Sequence, residues 1–541
     1  MSKPIYEDQF YGMDRRLDSD KIPDGFSPLC VNVDLDRLST VRKRKGTALL
    51  GVGGAKDQTV QSIIEYVNTS GNTEIHSVRN GSLYKYDTST KTWGLLVSNI
   101  FGSKTLTDRK LYQVQSVQYK NRIYHVSGGD YLQYNSGDST STFVGSSDEN
   151  KIKGYCLAVA QRTLFIGNVI VNGVSYPNRV YYSLFNTKTI QEGDQFWNDE
   201  ETGLLASTRY FDLQGGNIQA MVNFGNRNGV YIFTDTKCYT FDVTQVESNP
   251  FGALVEVFAF GCAGNRAIRV IDGVMYWMDK QGKIWAWTGN TYKPEEISYG
   301  IDDEGLGDSV VSAIDKSADN LSKVCVFGFG RKVYFSIGNL NLDNEVMANA
   351  CVKITMSQSG QRSLISIDTF PDRILCATIV SLNNNKLLAV GNSSNTLLLG
   401  SGYNDIDVNN VEIAVPAFYR TRYYDFGDPF SNKSIRSVLI KYRPQSIIDS
   451  YLTVKVAVNG STEYQAISDK TNSITTNGFI DMHDENSNFL KQKLGKINLP
   501  ISTQANLISF EFGTYDKNVS FEISSFGFKD INFKDSNTAI L

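Results

Sequence analysis

Apolar and polar residues alternate in short runs along most of the chain, and Gly, Asn and Asp separate the runs. Alternation with period two over about four to eight residues predicts half-buried strands, not helices. The stretch DGVMYWMDKQGKIWAW (272–287) sets two such runs on either side of a Lys-Gln-Gly turn. Its first half has relatives at GSLYKY (81–86), NRIYHV (121–126), RTLFIG (162–167), NGVYIF (228–233), RKVYFS (331–336) and NKLLAV (385–390). The third residue is always aliphatic, from Leu83 and Ile123 through Val274 to Leu387, and the fourth is always large and apolar or aromatic.

A second strand follows most of these runs, as in DTKCYTFDV (235–243), and an apolar strand often precedes them, as in IQAMVNF (218–224). Strand, hairpin and strand recur about every 40–65 residues, a pattern expected of a β-propeller with irregular blades. Ordinary blades repeat at roughly 40–50 residues, so the longer intervals require insertions, with NVIVNGVSYPN (168–178) and 187–210 as candidates. One small sheet cannot bury both of its faces alone, whereas radial stacking covers both. Trp285 and Trp287 share a strand face by period-two spacing and are expected to pack between blades. No long amphipathic helix is expected, and candidates such as 308–317 are short.

Past residue 403 the strands lengthen and alternate sharply, as in IRSVLIKYRP (435–444), NLISFEFGTYD (506–516) and SFEISSFGFKDINF (520–533). This predicts a C-terminal β-sandwich or jelly-roll-like domain. The expected division is an N-terminal arm with first strands at 1–55, a propeller at 56–402 and the sandwich at 403–541, with the bridge near GSGYNDIDVNN (400–410). The fold class is therefore all-β.

Composition agrees with this class: 541 residues with 29 Tyr, 29 Phe and 45 Gly suit pleated faces and hairpin turns. A formal net charge of −4 argues against retention on nucleic acid by general positive charge. The seven cysteines are scattered, form no CxxC and cannot all pair, so free buried thiols in a chain made in a reducing cytoplasm are expected. His76, His125 and His483 match no zinc spacing, and no DxDxDG loop occurs, so no metal site is expected. No signal-peptide pattern and no apolar run of about 18 residues are present, so neither secretion by a leader nor a membrane span is expected.

Candidate chemistry is sparse. No GxSxG elbow, P-loop or HExxH occurs, and GFGRKV (328–333) opens no helix. YDTSTKTW (86–93) has a faint likeness to a sialidase Asp-box turn but lacks its glycine and has no second copy. The chain is expected to be no enzyme and to carry no cofactor. The one dense charge run is Arg42, Lys43, Arg44 and Lys45. Its simpler reading is a solvated strand edge kept from aggregating by charge; the other is a contact with an acidic partner or passing nucleic acid. Arg420 and Arg422 alternate in FYRTRYYDF and are expected to share a strand face and pair with carboxylates across an interface.

Several stretches in order resemble the β-propeller tail proteins of short-tailed bacteriophages, namely nozzle (tubular) proteins and tail accessory or stabilisation factors. They are KIPDGFSPLCVNVDLDRLSTVRKRKG (21–46), NRVYYSLFN…DQFWND (178–199), 216–243, FGCAGNRAIRVIDGVMYWMDKQGKIWAWTGNTYKPEEIS (260–298) and YYDFGDPFSNKSIRSVLIKY (423–442). The likeness covers most of 20–445 and is mainly structural in character. It implies a virion structural protein in the portal–tail complex, made in the host bacterial cytoplasm. It further implies a ring, usually a homohexamer, around the channel through which genomic DNA is retained and ejected, with other tail or connector proteins as neighbours. The family carries no catalytic residues to transfer. The alternative is a receptor- or glycan-binding tail propeller, and less so a glycan hydrolase.

Overall fold

In a computed structural model of the chain, residues 5–37, 40–52, 58–102, 104–111, 113–138, 140, 142–143, 151–161, 163–183, 209–225, 229–246, 249–302, 309–343, 345–356, 363–443, 451–466, 479–481, 492–498 and 504–534 are described. The Trp197 loop of the tail-protein resemblance and most of the candidate insertion at 187–210 lie outside them.

The protein is all-β, a β-propeller joined to a C-terminal β-sandwich. Seven small antiparallel sheets follow one another along the chain. Their innermost strands are Val60–Val67, Gln115–Tyr119, Ile152–Ala160, Ile218–Asn223, Ile268–Ile271, Cys325–Phe329 and Cys376–Leu382. Each touches the next in that order, and the last touches the first, which closes the ring. Five blades are free-standing four-stranded sheets, the fourth carries a fifth strand, and the sixth runs on into a larger sheet. Six of the seven repeated runs fall on the second strand of a blade, from Arg122–Val126 in the second to Asn385–Gly391 in the seventh, and the run at 81–86 falls on the third strand of the first blade, Ser82–Asp87. Their aliphatic third residues are buried or half-buried because these strands lie inside their sheets, between neighbouring blades. The turns that feed them need left-handed backbone: Asn80 and Gly81 have φ of 46° and 74°, Asp272 and Gly273 of 48° and 80°.

The opening hairpin shows how blades are glued. The Trp287 ring lies 5.5 Å from both Phe224 and Tyr231 of the fourth blade, and Trp277 lies 5.3 Å from Phe233. Trp285 packs on Phe260 at 4.2 Å and donates its Nε1 hydrogen to Asp279, whose other oxygen caps the turn by accepting from the Gln281 and Lys283 amides. The tryptophans are therefore inter-blade core. Burying an aromatic ring of this kind contributes about 1.5–3 kcal/mol.

One expected insertion is something else. NVIVNGVSYPN is a lengthened hairpin, with strands Thr163–Val171 and Val174–Tyr182 turning at Asn172 and Gly173 (φ 50° and 79°). The third blade protrudes as a ribbon there.

The segment expected as an N-terminal arm is divided among sheets. Thr47–Leu49 pairs with Thr396–Leu399 as the outermost strand of the seventh blade, so the last blade is completed by the start of the chain. Cys30–Val31 lies between the sixth blade's Ser363–Thr369 and the sandwich strand Ala417–Arg420. Val33–Arg37 and Thr40–Lys43 join the other sandwich sheet beside Glu522–Lys534. Propeller and sandwich thus share one continuous sheet. The two sandwich sheets meet through Phe510 on Phe528 (5.1 Å) and Phe512 on Phe526 (5.0 Å). One large core runs from the fourth, fifth and sixth blades into the sandwich. Helices are confined to short turns such as Val310–Ala313, capped by Ser309, and no helix among the described residues is long and apolar enough to cross a membrane.

Candidate functional site

The six basic residues singled out in the sequence all lie where N-terminal segment, propeller and sandwich meet, and most are neither a solvated edge nor a free contact surface. Lys43 and Arg44 are buried, Arg42 is half-buried and Lys45 alone of the run is exposed. Strand Thr40–Lys43 is internal to its sheet, between Val33–Arg37 and Glu522–Lys534, so it has no edge to protect. The solvated-edge and nucleic-acid readings of Lys43 and Arg44 are both corrected by this placement.

Arg44 is fully engaged. Its Nη1 donates to Asp405 Oδ1 (3.0 Å) and its Nη2 to the other oxygen of the same carboxylate, forming a bidentate pair. Nε donates to Asn32 Oδ1 (2.8 Å), Nη2 also to the Thr369 carbonyl (2.7 Å), and the guanidinium sits 4.5 Å from the Phe370 ring centre. Burial opposes its charge, but Asp405 and Asp368 outweigh that and raise its pKa. Among the described residues Lys43 has no such carboxylate partner in hydrogen-bonding reach; its ammonium reaches the Asp516 carbonyl at 3.5 Å, and burial together with Arg44 depresses its pKa to about 8. Lys45 lies 4.1 Å from the centre of the Tyr403 ring.

Beside Arg44 the network continues through Lys353, which is wholly buried. Its Nζ donates to Asp34 Oδ1 (3.0 Å) and to both oxygens of Asp368 (2.8 and 3.0 Å), and Lys332 reaches Asp34 at 2.8 Å. Burial works to raise the Asp34 pKa, yet Lys353 and Lys332 prevail and lower it. Three cations (Arg44, Lys332, Lys353) meet three carboxylates (Asp34, Asp368, Asp405), so the cluster is balanced. It ties the N-terminal segment, the sixth blade and the hairpin of Asn404–Ile406 into one unit.

Arg420 ends strand Ala417–Arg420, donating from Nε to Glu511 Oε2 (2.8 Å) and from Nη2 to Glu345 Oε1 (2.5 Å). These carboxylates belong to the same chain, so the expected inter-molecular pairing does not describe Arg420. Arg422 lies past the strand end, half-buried, and pairs with Asp24. A cleft of about 340 Å³ opens beside Arg420, lined also by Arg15, Arg16 and Tyr464. Every arginine on it is neutralised: Arg15 grips Asp343 through two bonds (2.9 and 3.0 Å), and Arg16 pairs with Asp14. Its charges are spent on the fold.

Sequence reasoning missed the acidic halves of these pairs, because Asp405 and Glu511 stand far from their partners along the chain. All seven cysteines are free and buried, and burial pushes the Cys156 and Cys376 thiols up to about 12. Among the described residues no group of three or more His, Cys, Asp or Glu is placed to hold a metal ion.

No protein-family model matches the chain, and no curated protein matches it in sequence. Among solved structures, the WD40 repeats of RRP9 align over 66% of this chain and 99% of that one, at 9% identity and a TM-score of 0.34. BamB from Moraxella catarrhalis aligns over 72% and 99%, at 9% identity and a TM-score of 0.35, and the computationally designed Ika8 protein over 66% and 100%, at 12% and 0.34.

Proposed function

We propose that the chain is a structural protein of a short-tailed bacteriophage tail, building a ring, nozzle or adaptor, around the path of genomic DNA. The observation that carries this reading is the ordered run of resemblances from residue 21 to 442. The architecture is compatible with a mechanical part. A propeller closed by its own N-terminal strand, and joined to a sandwich by a shared sheet and a buried ion network, transmits force as one body. Copies related by rotation repeat one heterologous interface until the ring closes.

DNA would pass through the centre of such a ring, not along the propeller axis. The axial cavity holds only about 280 Å³, a volume that the major groove of a duplex, ~12 Å wide and ~8.5 Å deep, exceeds within about 3 Å of its length. The formal net charge of −4 suits a lumen on which DNA slides without strong phosphate adhesion.

The test is electron microscopy of the purified full chain together with mass spectrometry of virions carrying it. Closed rings with an open centre, and the chain present in tails, are expected. A chain that stays monomeric and is missing from particles would end the proposal, and a hit on a host-glycan array would favour the receptor-binding alternative.

A further inference from the structure

The seven inner strands leave a cavity of about 280 Å³ on the propeller axis, lined by residues of six blades. Two of the lining residues are charged, Arg266 and Arg269, and no carboxylate lines it among the described residues. Elsewhere the buried arginines carry a counter-charge or a ring: Arg44 has Asp405, Arg420 has Glu511, and Arg79, which lacks a carboxylate, stacks on Trp93 at 4.5 Å. The axial pair has neither.

Arg266 precedes the fifth blade's inner strand and reaches across the axis. Its Nη1 donates to the Leu375 carbonyl (2.8 Å), and its Nη2 to the carbonyls of Gln61 (2.9 Å) and Val114 (3.1 Å). It therefore clamps the entries of the seventh, first and second blades, but with neutral acceptors that leave its formal charge uncompensated. Arg269 sits on the inner strand itself, exposed, and its side chain makes no hydrogen bond or ion pair among the described residues. The surrounding blades desolvate both guanidinium groups and lower their pKa, although each stays protonated at neutral pH. The thiols of Cys325 and Cys376 on the same wall cannot supply the missing charge, since burial raises their pKa and keeps them neutral. Two neighbouring cations in a partly desolvated space, without a carboxylate beside them, are costly unless an anion joins them.

A bowl of about 420 Å³ shares Asn265 with the cavity; its lining, which includes Gln113, Ser127, Ile218 and Ala263, has no charged residue among the described residues. Among the described residues of the two linings, Arg266 and Arg269 are the charged ones.

We propose that the axial cavity binds a small oxyanion, of the inorganic phosphate or short carboxylate class, in the fork of the Arg269 guanidinium, with Arg266 as fixed positive background. The planar fork suits two parallel bonds to either kind of oxyanion. The cavity volume excludes a polymer. Bound there, the anion offsets repulsion between two cations at the point where the blades converge, so it stabilises the closed ring of blades.

The experiment uses the full chain in a chloride buffer at constant ionic strength. Inorganic phosphate and, separately, malonate are titrated by calorimetry and by thermal unfolding. A saturable response to at least one of them is expected, with a Tm that rises with ligand concentration and then levels off. Arg269→Gln, which removes no bond of the fold, is expected to unfold near the wild-type Tm in chloride and to lose the saturable response at least tenfold. Arg269→Lys keeps the charge without the fork and is expected to bind at least threefold more weakly; it carries the comparison should Arg269→Gln fail to fold. Arg331→Gln, at a turn outside the cavity, serves as control and responds like wild type. Absence of saturable binding of either anion, or an unchanged response in both Arg269 variants, overturns the proposal.

Discussion

Lys353 shows what a single residue holds in this molecule. Its ammonium has no exposure and is shared between Asp34 of the N-terminal segment and Asp368 of the sixth blade. Removing one member of a buried pair leaves the others desolvated and unpaired, which costs about 3–5 kcal/mol. Lys353→Met is therefore expected to lower unfolding stability by that amount in urea titrations, and a loss under about 1 kcal/mol would mean that water relieves the site. Arg44→Lys retains the charge but forfeits the bidentate grip on Asp405 and the bond to Asn32, for an expected loss of about 1–3 kcal/mol. His125 supplies the pH dependence. Burial drives its pKa down to about 3, with His76 adding a little, so the folded chain keeps the ring neutral while the unfolded chain protonates it near 6.5. The unfolded state binds the extra proton, and stability falls as pH drops from 6.5 toward 3, by about 1.4 kcal/mol per pH unit. His125→Asn does not titrate, so between about pH 6 and 4 its urea-derived stability is expected to fall less steeply than wild type by roughly 1 kcal/mol per unit. Equal slopes would show that the folded state protonates the ring. The basic run was visible in the sequence, but its role was not. Arg44 and Asp405 are 361 positions apart, and no local pattern marks such a partner.

At the scale of elements, the repeated strands were legible because each carries an aliphatic residue followed by a large apolar or aromatic one, with turns that demand left-handed backbone before them, as at Asn80–Gly81 and Asp272–Gly273. Those features are local, and period two survives inside them. The final strand of the seventh blade was not legible in that way. Thr47–Leu49 is three residues long, and its partner strand Thr396–Leu399 lies more than 300 positions away. Its placement depends on the glycine before it. A Cβ on Gly46 would stand 1.8 Å from the Asn404 carbonyl oxygen, and Gly46 also exchanges backbone bonds with Gly402, Gly400 and Ser401. The Arg44-Lys45-Gly46 turn is thus a wedge that seats the closing strand against the hairpin of Asn404–Ile406. Gly46→Ala must push that backbone apart, at a cost of about 1–3 kcal/mol. The expected readout is amide exchange about tenfold faster in Asn385–Gly391 and Thr396–Leu399, with the strands of the third blade unchanged. Uniform protection in the variant would show that the hairpin yields without disturbing the closure.

For the whole molecule, the division into propeller and sandwich is real in shape but not in bonding. Reading the chain in order places a boundary near residue 402, because the strand rhythm changes there. The hydrogen bonds cross it: Cys30–Val31 joins the sixth blade to Ala417–Arg420, and Thr40–Lys43 lies against Glu522–Lys534. The core crosses it as well, since Phe10 of the N-terminal segment packs on Tyr419 at 5.3 Å and on Phe526 at 6.2 Å. A fragment of residues 403–541 would lack four strands of its sheets, Ile5–Glu7, Cys30–Val31, Val33–Arg37 and Thr40–Lys43, as well as Phe10, leaving long unpaired edges and an open apolar face. That fragment is expected to aggregate or stay unfolded, whereas independent sandwich domains of this size ordinarily fold alone. The same reasoning predicts one calorimetric transition for the intact chain, because melting the sandwich strips the sixth blade of its neighbour strand and the ion network of Asp34. Lys353→Met distinguishes this from two domains that merely melt at the same temperature. If the network couples them, the variant's transition moves as a whole to lower temperature. If the parts are independent, its trace splits, and a folded 403–541 fragment would accompany the split.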